Sequence, residues 1–137
     1  IDKRQGHTRV IDYKTGAGTL EYEKLDDVFA GKSPYVLQTL FYCILLDTNS
    51  QDTNIEPHIY FLRNLSAETK GVLPTAVHQA GKSSFVFSDY KEELEKRFRQ
   101  VIRQMLDPSV PFTQATTKDA CRYCHLIELC PNKKTND

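Results

Sequence analysis

Residues 10–16, with the sequence VIDYKTG, combine a hydrophobic strand pattern with two opposite charges. The β-branched and aromatic residues predict a strand that ends at the following Thr-Gly step. Because residues two apart in a strand face the same side, Asp12 and Lys14 point together and Tyr13 points away from them. Such a pair at a strand end suits phosphodiester hydrolysis, since a carboxylate can hold Mg²⁺ and a lysine can orient the attacking water. A surface salt bridge is the alternative interpretation of the same two residues.

A helix is predicted directly after Ser33, because serine can cap a helix and Pro34 fits the first helical position. The helix runs to about residue 47 and is apolar nearly all round, which predicts a central, buried helix. Gln38 and Tyr42 lie four residues apart and therefore share one of its faces. They can both reach a groove beside the strand end. Alternatively, they are a polar residue and a packed aromatic residue of a core helix.

The remaining patterns alternate between strands and helices. The predicted elements are strands at 8–13, 55–62 and 84–87 and helices at 21–30, 34–47 and 89–106. The last helix is the clearest of these, because its apolar residues fall on one face and Asp107-Pro108 stops it. This order of elements predicts an α/β domain with a small mixed β-sheet flanked by helices.

Three of the four cysteines form a C-x2-C-x5-C pattern at Cys121, Cys124 and Cys130. Two cysteines separated by two residues can chelate one metal centre, and thiolates suit both zinc and iron–sulfur clusters. His125 could complete a zinc site, although it adjoins Cys124. The alternative is a set of free thiols. Cys43 lies in the predicted buried helix, where a small core side chain is expected.

The strings VIDYKTG, LQTLFY and PFTQ, followed by the cysteine pattern, stand in an order and spacing that resemble RecB-like exonucleases of the PD-(D/E)XK nuclease superfamily. The resemblance implies a restriction-endonuclease-like core over residues 1–112 and a cysteine-bearing tail over residues 113–137 that packs on this core. It also implies that the core is truncated at its N-terminus, so that the chain begins inside a longer protein.

The resemblance assigns roles to the candidate site residues. It implies that Asp12 and the Tyr13 backbone carbonyl ligate Mg²⁺ or Mn²⁺ and that Lys14 assists water activation. Gln38 would contact the metal-site region or the DNA backbone, and Tyr42 would support it. Together these residues would line the groove in which DNA is hydrolysed.

The superfamily also carries a first catalytic acid on the preceding strand, about thirteen residues before Asp12. That position precedes Ile1, and Asp2 lies closer to Asp12 than the pattern requires, so we expect Asp2 to be a poor substitute. We therefore expect Mg- or Mn-dependent DNA cleavage from the parent protein and not from this chain alone. A catalytically inactive nuclease-fold module that binds DNA or a protein is the alternative.

The resemblance further implies a [4Fe–4S] cluster held by Cys121, Cys124, Cys130 and an upstream cysteine, and a helicase subunit or domain as partner in DNA repair. Lysine plus arginine and aspartate plus glutamate are balanced at 18 each, which gives no support for a broad electrostatic grip on nucleic acid. No apolar segment approaches the roughly 20 residues that span a bilayer, and the first residues have no signal-peptide pattern. We expect no membrane association and a cytoplasmic location.

Overall fold

The computed structural model describes residues 1–49, 54–63, 75–82, 85–111, 113, 121–122, 124–125 and 129. In chain order the elements are β1 (Asp2–Arg4), β2 (His7–Lys14), β3 (Glu21–Tyr22), α1 (Leu25–Phe29), α2 (Pro34–Asn49), β4 (Ile55–Phe61), β5 (His78–Gln79) and α3 (Phe87–Leu106). The chain divides into two compact units, Ile1–Arg103 and Gln104–Asp137. The first unit contains the described strands and nearly all of the helices. The domain boundary expected between residues 112 and 113 stays a prediction.

A hairpin and a parallel pairing build the main sheet. β1 and β2 are antiparallel and are joined by a turn at Gln5 and Gly6, whose φ angles are both positive (51° and 81°). Two positive φ angles in succession match the right-handed twist of paired strands, and glycine adopts such an angle without steric cost. β4 pairs with β2 in parallel, which gives the strand order β1-β2-β4. β3 and β5 form a separate parallel pair.

Helix α2 lies between the parallel strands β2 and β4 in the chain and packs on both of them. It begins at Pro34 as predicted, and the Leu37 N–H donates to the Ser33 carbonyl at 3.0 Å. A parallel pair needs such a crossover connection, because a tight turn cannot bring two strands into the same direction. The crossover brings the first half of α2 next to the C-terminal end of β2.

The core of the first unit joins buried side chains of the three helices with those of β2, β3 and β4. Leu40 and Leu94 are completely buried there, and each such side chain contributes about 1.5–3 kcal/mol by its burial. The Phe98 ring of α3 contacts the rings of Phe29 and Phe41, with centroid distances of 5.0 Å in both cases. These aromatic contacts fix α3 against α1 and α2.

Two of the predicted elements differ from the structure. The helix predicted at 21–30 begins only at Leu25, because Glu21 and Tyr22 instead form β3, which pairs with β5. The strand predicted at 84–87 is wrong at Phe87, which begins α3. Phe87 and Leu94 lie seven residues apart and are both buried, so the earlier helix start buries one more aromatic side chain. Ser84 lies outside the described residues.

Helix α2 is also more exposed than its composition suggests. Four side chains form a stripe that stays open to solvent, namely Tyr35, Gln38, Tyr42 and Leu45. Their spacing of three or four residues keeps them on one face of the helix, opposite the buried face that carries Leu40 and Cys43. The prediction of a helix buried all round is therefore wrong for this face.

The described residues form the mixed α/β arrangement that the sequence predicts, with a small mixed sheet flanked by helices. Within these residues, every helix is too short or too polar to cross a lipid bilayer.

Candidate active site

Asp12 and Lys14 occupy the C-terminal end of β2 and face α2, on the same side as the buried Val10. This shared side follows from the two-residue period of a strand. Tyr13 points to the opposite face, where its side chain is 62% exposed and its ring stacks on Tyr60 with the centroids 5.4 Å apart. The side chain of Tyr13 is therefore turned away from the site, and only its backbone carbonyl is a candidate ligand.

The four predicted side chains form one continuous chain of polar contacts. Lys14 Nζ lies 2.8 Å from Asp12 Oδ2 and donates to Gln38 Oε1 at 2.5 Å. Gln38 Nε2 in turn donates to the Tyr42 hydroxyl oxygen at 2.7 Å. The structure thus joins the strand motif and the helix motif, which are distant in sequence, into one side-chain relay. We call these four residues the polar relay.

The chemistry of lysine fixes the orientation of the Gln38 amide within the polar relay. An ammonium group carries donors only, so the Gln38 oxygen must face Lys14 and its nitrogen must face Tyr42. Since the Tyr42 oxygen accepts this bond, its own hydroxyl hydrogen remains available to donate. Gln38 takes one of the three N–H donors of Lys14. The relay can therefore present donors from Lys14 and Tyr42 to an anionic ligand.

One oxygen of the Asp12 carboxylate has no hydrogen-bond partner among the residues that the structure describes. The side chain is 13% exposed, and its Oδ2 atom is buried. Among the described residues this atom has only the ion-pair contact with Lys14 Nζ, which lacks the direction of a hydrogen bond. The ammonium charge of Lys14 offsets that of the carboxylate, and a cation bound at Asp12 would supply a further partner for its oxygens.

The oxygen donors at the end of β2 fit a hard divalent cation. Asp12 and the Tyr13 carbonyl offer oxygen ligands, which Mg²⁺ and Mn²⁺ prefer. Mg²⁺ is commonly held by one or two carboxylates and keeps several water molecules. Across the described residues, no group of three or more His, Cys, Asp and Glu side chains is placed to hold a metal ion. Water, substrate oxygens or a further acid would therefore complete a metal site here.

Asp2 is committed to a different partner. It lies opposite Arg9 in the β1–β2 register, and its carboxylate accepts hydrogen bonds from the Arg9 guanidinium, one of them at 2.7 Å. The hydrogen bond from Arg9 lowers the pKa of Asp2 below its ordinary value. Arg9 thus neutralises the charge of the Asp2 carboxylate, and the expectation that Asp2 is a poor substitute for the first catalytic acid stays a prediction.

The cysteines fall into two different environments. Cys43 is completely buried, and burial raises the pKa of its thiol to about 12. Cys43 therefore stays protonated at neutral pH and belongs to the core, since metal ligation requires the thiolate. In the second unit, the Cys124 N–H donates to the Cys121 carbonyl at 3.2 Å, which forms a turn. Cys130 lies outside the described residues, so the three-cysteine site stays a prediction.

One residue of this site, Tyr35, was not identified from the sequence. Lys14 Nζ lies over the Tyr35 ring, 4.8 Å from its centroid. Tyr35 precedes Gln38 by three residues on the exposed stripe of α2, so the helical spacing was the available signal. That spacing does not reveal the contact with Lys14, because the contact depends on where α2 crosses the end of β2.

The comparisons with known proteins point to one family. The sequence matches the family model of the PD-(D/E)XK nuclease superfamily over residues 1–131, which is nearly the whole chain. Neither a curated protein nor a solved structure gave a match. The mixed α/β arrangement with its flanked sheet agrees with the restriction-endonuclease-like fold expected from the sequence. This chain belongs to the PD-(D/E)XK nuclease superfamily.

Proposed function

We propose that this chain is the catalytic core of a metal-dependent deoxyribonuclease. The observation that carries the proposal is the polar relay at the end of β2, in which a largely buried carboxylate lies beside an ammonium group from which Gln38 accepts a hydrogen bond. Membership of a nuclease superfamily supports a hydrolytic function with DNA as the substrate. The relay supplies the two kinds of group that phosphodiester hydrolysis needs, an anionic metal ligand and a cationic donor.

Each residue of the relay has a role that its contacts support. Asp12, with the Tyr13 carbonyl, would hold Mg²⁺ or Mn²⁺, and the metal when bound lowers the pKa of water and polarises the phosphate. Lys14 would direct an N–H towards the attacking water or a phosphate oxygen. Gln38 keeps the ammonium in that orientation, and Tyr42 keeps the Gln38 amide from turning. The protein thereby presents fixed donors where negative charge develops.

The hairpin register supports the expected position of a second acid. In the β1–β2 pairing, Asp2 lies opposite Arg9 and Lys3 lies opposite Thr8. If the same antiparallel register continues towards the N-terminus, the position three residues before Asp2 would lie opposite Asp12. We propose that the full-length protein carries its first catalytic acid there, on the same strand as β1. Two carboxylates facing each other across adjacent strands would hold a cation between them.

The finer assignments remain part of the proposal. The order of motifs supports a RecB-like exonuclease that works with a helicase subunit or domain in DNA repair, in the cytoplasm. The spacing of Cys121, Cys124 and Cys130 supports a [4Fe–4S] cluster, or zinc, in the full-length protein. Iron and zinc content of the purified full-length protein, compared with a variant in which Cys124 is replaced by serine, would test the cluster separately from cleavage.

The test of the proposed function is metal-dependent cleavage of linear single- and double-stranded DNA by the full-length protein. We expect cleavage with Mg²⁺ or Mn²⁺, none with a chelator, and a loss on the order of 10³-fold in Asp12→Asn, which removes the charge that attracts the metal. Asp27→Asn is the matched control, because Asp27 also pairs with a lysine but lies away from the relay. A folded wild-type protein that does not cleave DNA would support the inactive binding module instead.

A further inference from the structure

The Lys14 ammonium is held on three sides, and one of these contacts has no role in the relay. Asp12 and Gln38 contact it through oxygen atoms at 2.8 Å and 2.5 Å. The third side faces the ring of Tyr35, whose centroid is 4.8 Å from Nζ. A cation over the face of an aromatic ring is attracted by the negative charge of that face. Tyr35 therefore stabilises one particular position of the ammonium group.

The Tyr35 ring is itself supported by the core. It packs against the Phe61 ring at the end of β4, with the centroids 5.9 Å apart and the planes tilted by 58°. Phe61 is 5% exposed and lies so close to the backbone of Gly18 that a Cβ atom on Gly18 would come within 2.4 Å of the Phe61 ring. A continuous series of contacts thus runs from Gly18, in the loop after β2, through the Phe61 and Tyr35 rings to the ammonium group of Lys14. We call this arrangement the aromatic support.

A lysine at an active site needs this kind of support. Its four-carbon chain loses about 2 kcal/mol of rotamer entropy when it is fixed in one position. Asp12 offers an ion-pair contact without hydrogen-bond direction, and Gln38 offers one hydrogen bond. The Tyr35 ring face lies against a third side of the ammonium group. The ring closes that side without adding a polar group that would compete for the N–H donors.

We propose that Tyr35 is a positioning residue that holds the Lys14 ammonium in place through its ring face, and that it acts on DNA hydrolysis only through Lys14. The catalytic part of this inference rests on the proposed nuclease function, whereas the position of the ammonium does not. The contact uses the ring and not the hydroxyl group. Tyr35→Phe should therefore keep the contact with the ammonium group, and Tyr35→Leu should lose it. Tyr35 is 39% exposed, so neither replacement opens a cavity in the core.

The first experiment measures the position of Lys14 in the absence of substrate and metal. In the wild-type protein with labelled lysine, we expect the ε-methylene proton signal of Lys14, assigned by its loss in Lys14→Arg, to be shifted upfield by the Tyr35 ring. The shift should disappear in Tyr35→Leu and persist in Tyr35→Phe. The matched control is Tyr90→Leu, which removes a similar contact from Lys82, whose Nζ is 5.1 Å from the Tyr90 ring centroid. An unchanged Lys14 signal in Tyr35→Leu would overturn the proposal.

The second experiment measures cleavage of linear DNA by the full-length variants. We expect kcat to fall about tenfold in Tyr35→Leu, with KM unchanged and the loss restored in Tyr35→Phe. A rise in KM at constant kcat would overturn the proposal, because it would mean that Tyr35 binds DNA directly. An equal loss in both variants would also overturn it, because it would assign the effect to the hydroxyl group. If no variant cleaves but the Lys14 signal responds as expected, the nuclease function fails and the positioning of Lys14 stands.

Discussion

Two aspartate–lysine ion pairs of the protein, one at the end of β2 and one between α1 and the turn that follows it, differ in their surroundings. The nitrogen–oxygen distances are alike, 2.8 Å for Asp12–Lys14 and 2.6 Å for Asp27–Lys32. The first pair is 13% and 18% exposed at its aspartate and lysine, and the second is 28% and 69% exposed. Distance alone therefore does not separate a candidate site from a surface salt bridge.

The neighbours of each lysine make the difference. Lys14 has Gln38 as a hydrogen-bond acceptor and Tyr35 beneath it, whereas the Lys32 ammonium contacts only Asp27 within the part of the chain that the structure describes. An exposed pair such as Asp27–Lys32 contributes about 0–1 kcal/mol to stability. A chemical role requires that the ammonium be held in one place, which the surroundings of Lys14 achieve and those of Lys32 do not.

The first prediction makes Lys14 resemble Lys32 by removing its hydrogen-bond acceptor. Gln38→Leu should lower kcat for DNA cleavage by about 10²-fold, because a misplaced catalytic group loses its alignment with the substrate. Gln100→Leu, at an exposed glutamine of α3, is the control and should leave kcat unchanged. Wild-type kcat in Gln38→Leu, measured at saturating DNA, would mean that the polar relay does not orient Lys14.

The second prediction concerns the end of the aromatic support at which Gly18 lies against the Phe61 ring. Gly18→Ala should lower the free energy of unfolding by about 1–3 kcal/mol, because the added Cβ forces the buried Phe61 ring to move. Gly16→Ala, two residues earlier in the same loop, meets no atom within 4 Å and should leave stability unchanged. Denaturant unfolding of both variants measures the difference, and equal stabilities would show that the loop yields without moving Phe61.

The third prediction concerns the smallest effect, the salt dependence of the two pairs. Asp27→Asn should lower the free energy of unfolding by at most about 1 kcal/mol, and this difference should vanish in about 1 M salt. The difference in the free energy of unfolding between Asp12→Asn and the wild-type protein should persist in the same salt, because partly buried charges are screened much less. Equal salt sensitivity of the two variants would remove the distinction between the pairs.

Local spacing was enough to predict the parts of the site that lie on single elements. The two-residue period of a strand predicts that Asp12 and Lys14 share a side, and the helical period predicts the same for Gln38 and Tyr42. The motif order also predicted the superfamily that the family model confirms. These features follow from residues within a few positions of each other.

Features that depend on distant parts of the chain were not predictable in this way. The contact between Lys14 and Tyr35 exists because a crossover helix passes the end of β2, and no local pattern encodes that crossing. Tyr22 was predicted to be helical, but its pairing with β5, far along the chain, decides its conformation. The support of Tyr35 by Phe61 likewise joins α2 to β4. Tertiary packing therefore overrode or extended the local pattern in each case.

The measurement that tests the central claim most directly is single-turnover cleavage of linear DNA with Mg²⁺ by full-length Lys14→Ala and Lys32→Ala. Both variants lose a lysine that pairs with an aspartate, so they differ only in the surroundings of the lost charge. We expect a loss of at least about 10²-fold in Lys14→Ala and wild-type cleavage in Lys32→Ala. Cleavage by Lys14→Ala at the rate of Lys32→Ala would contradict the assignment of the active site to the end of β2.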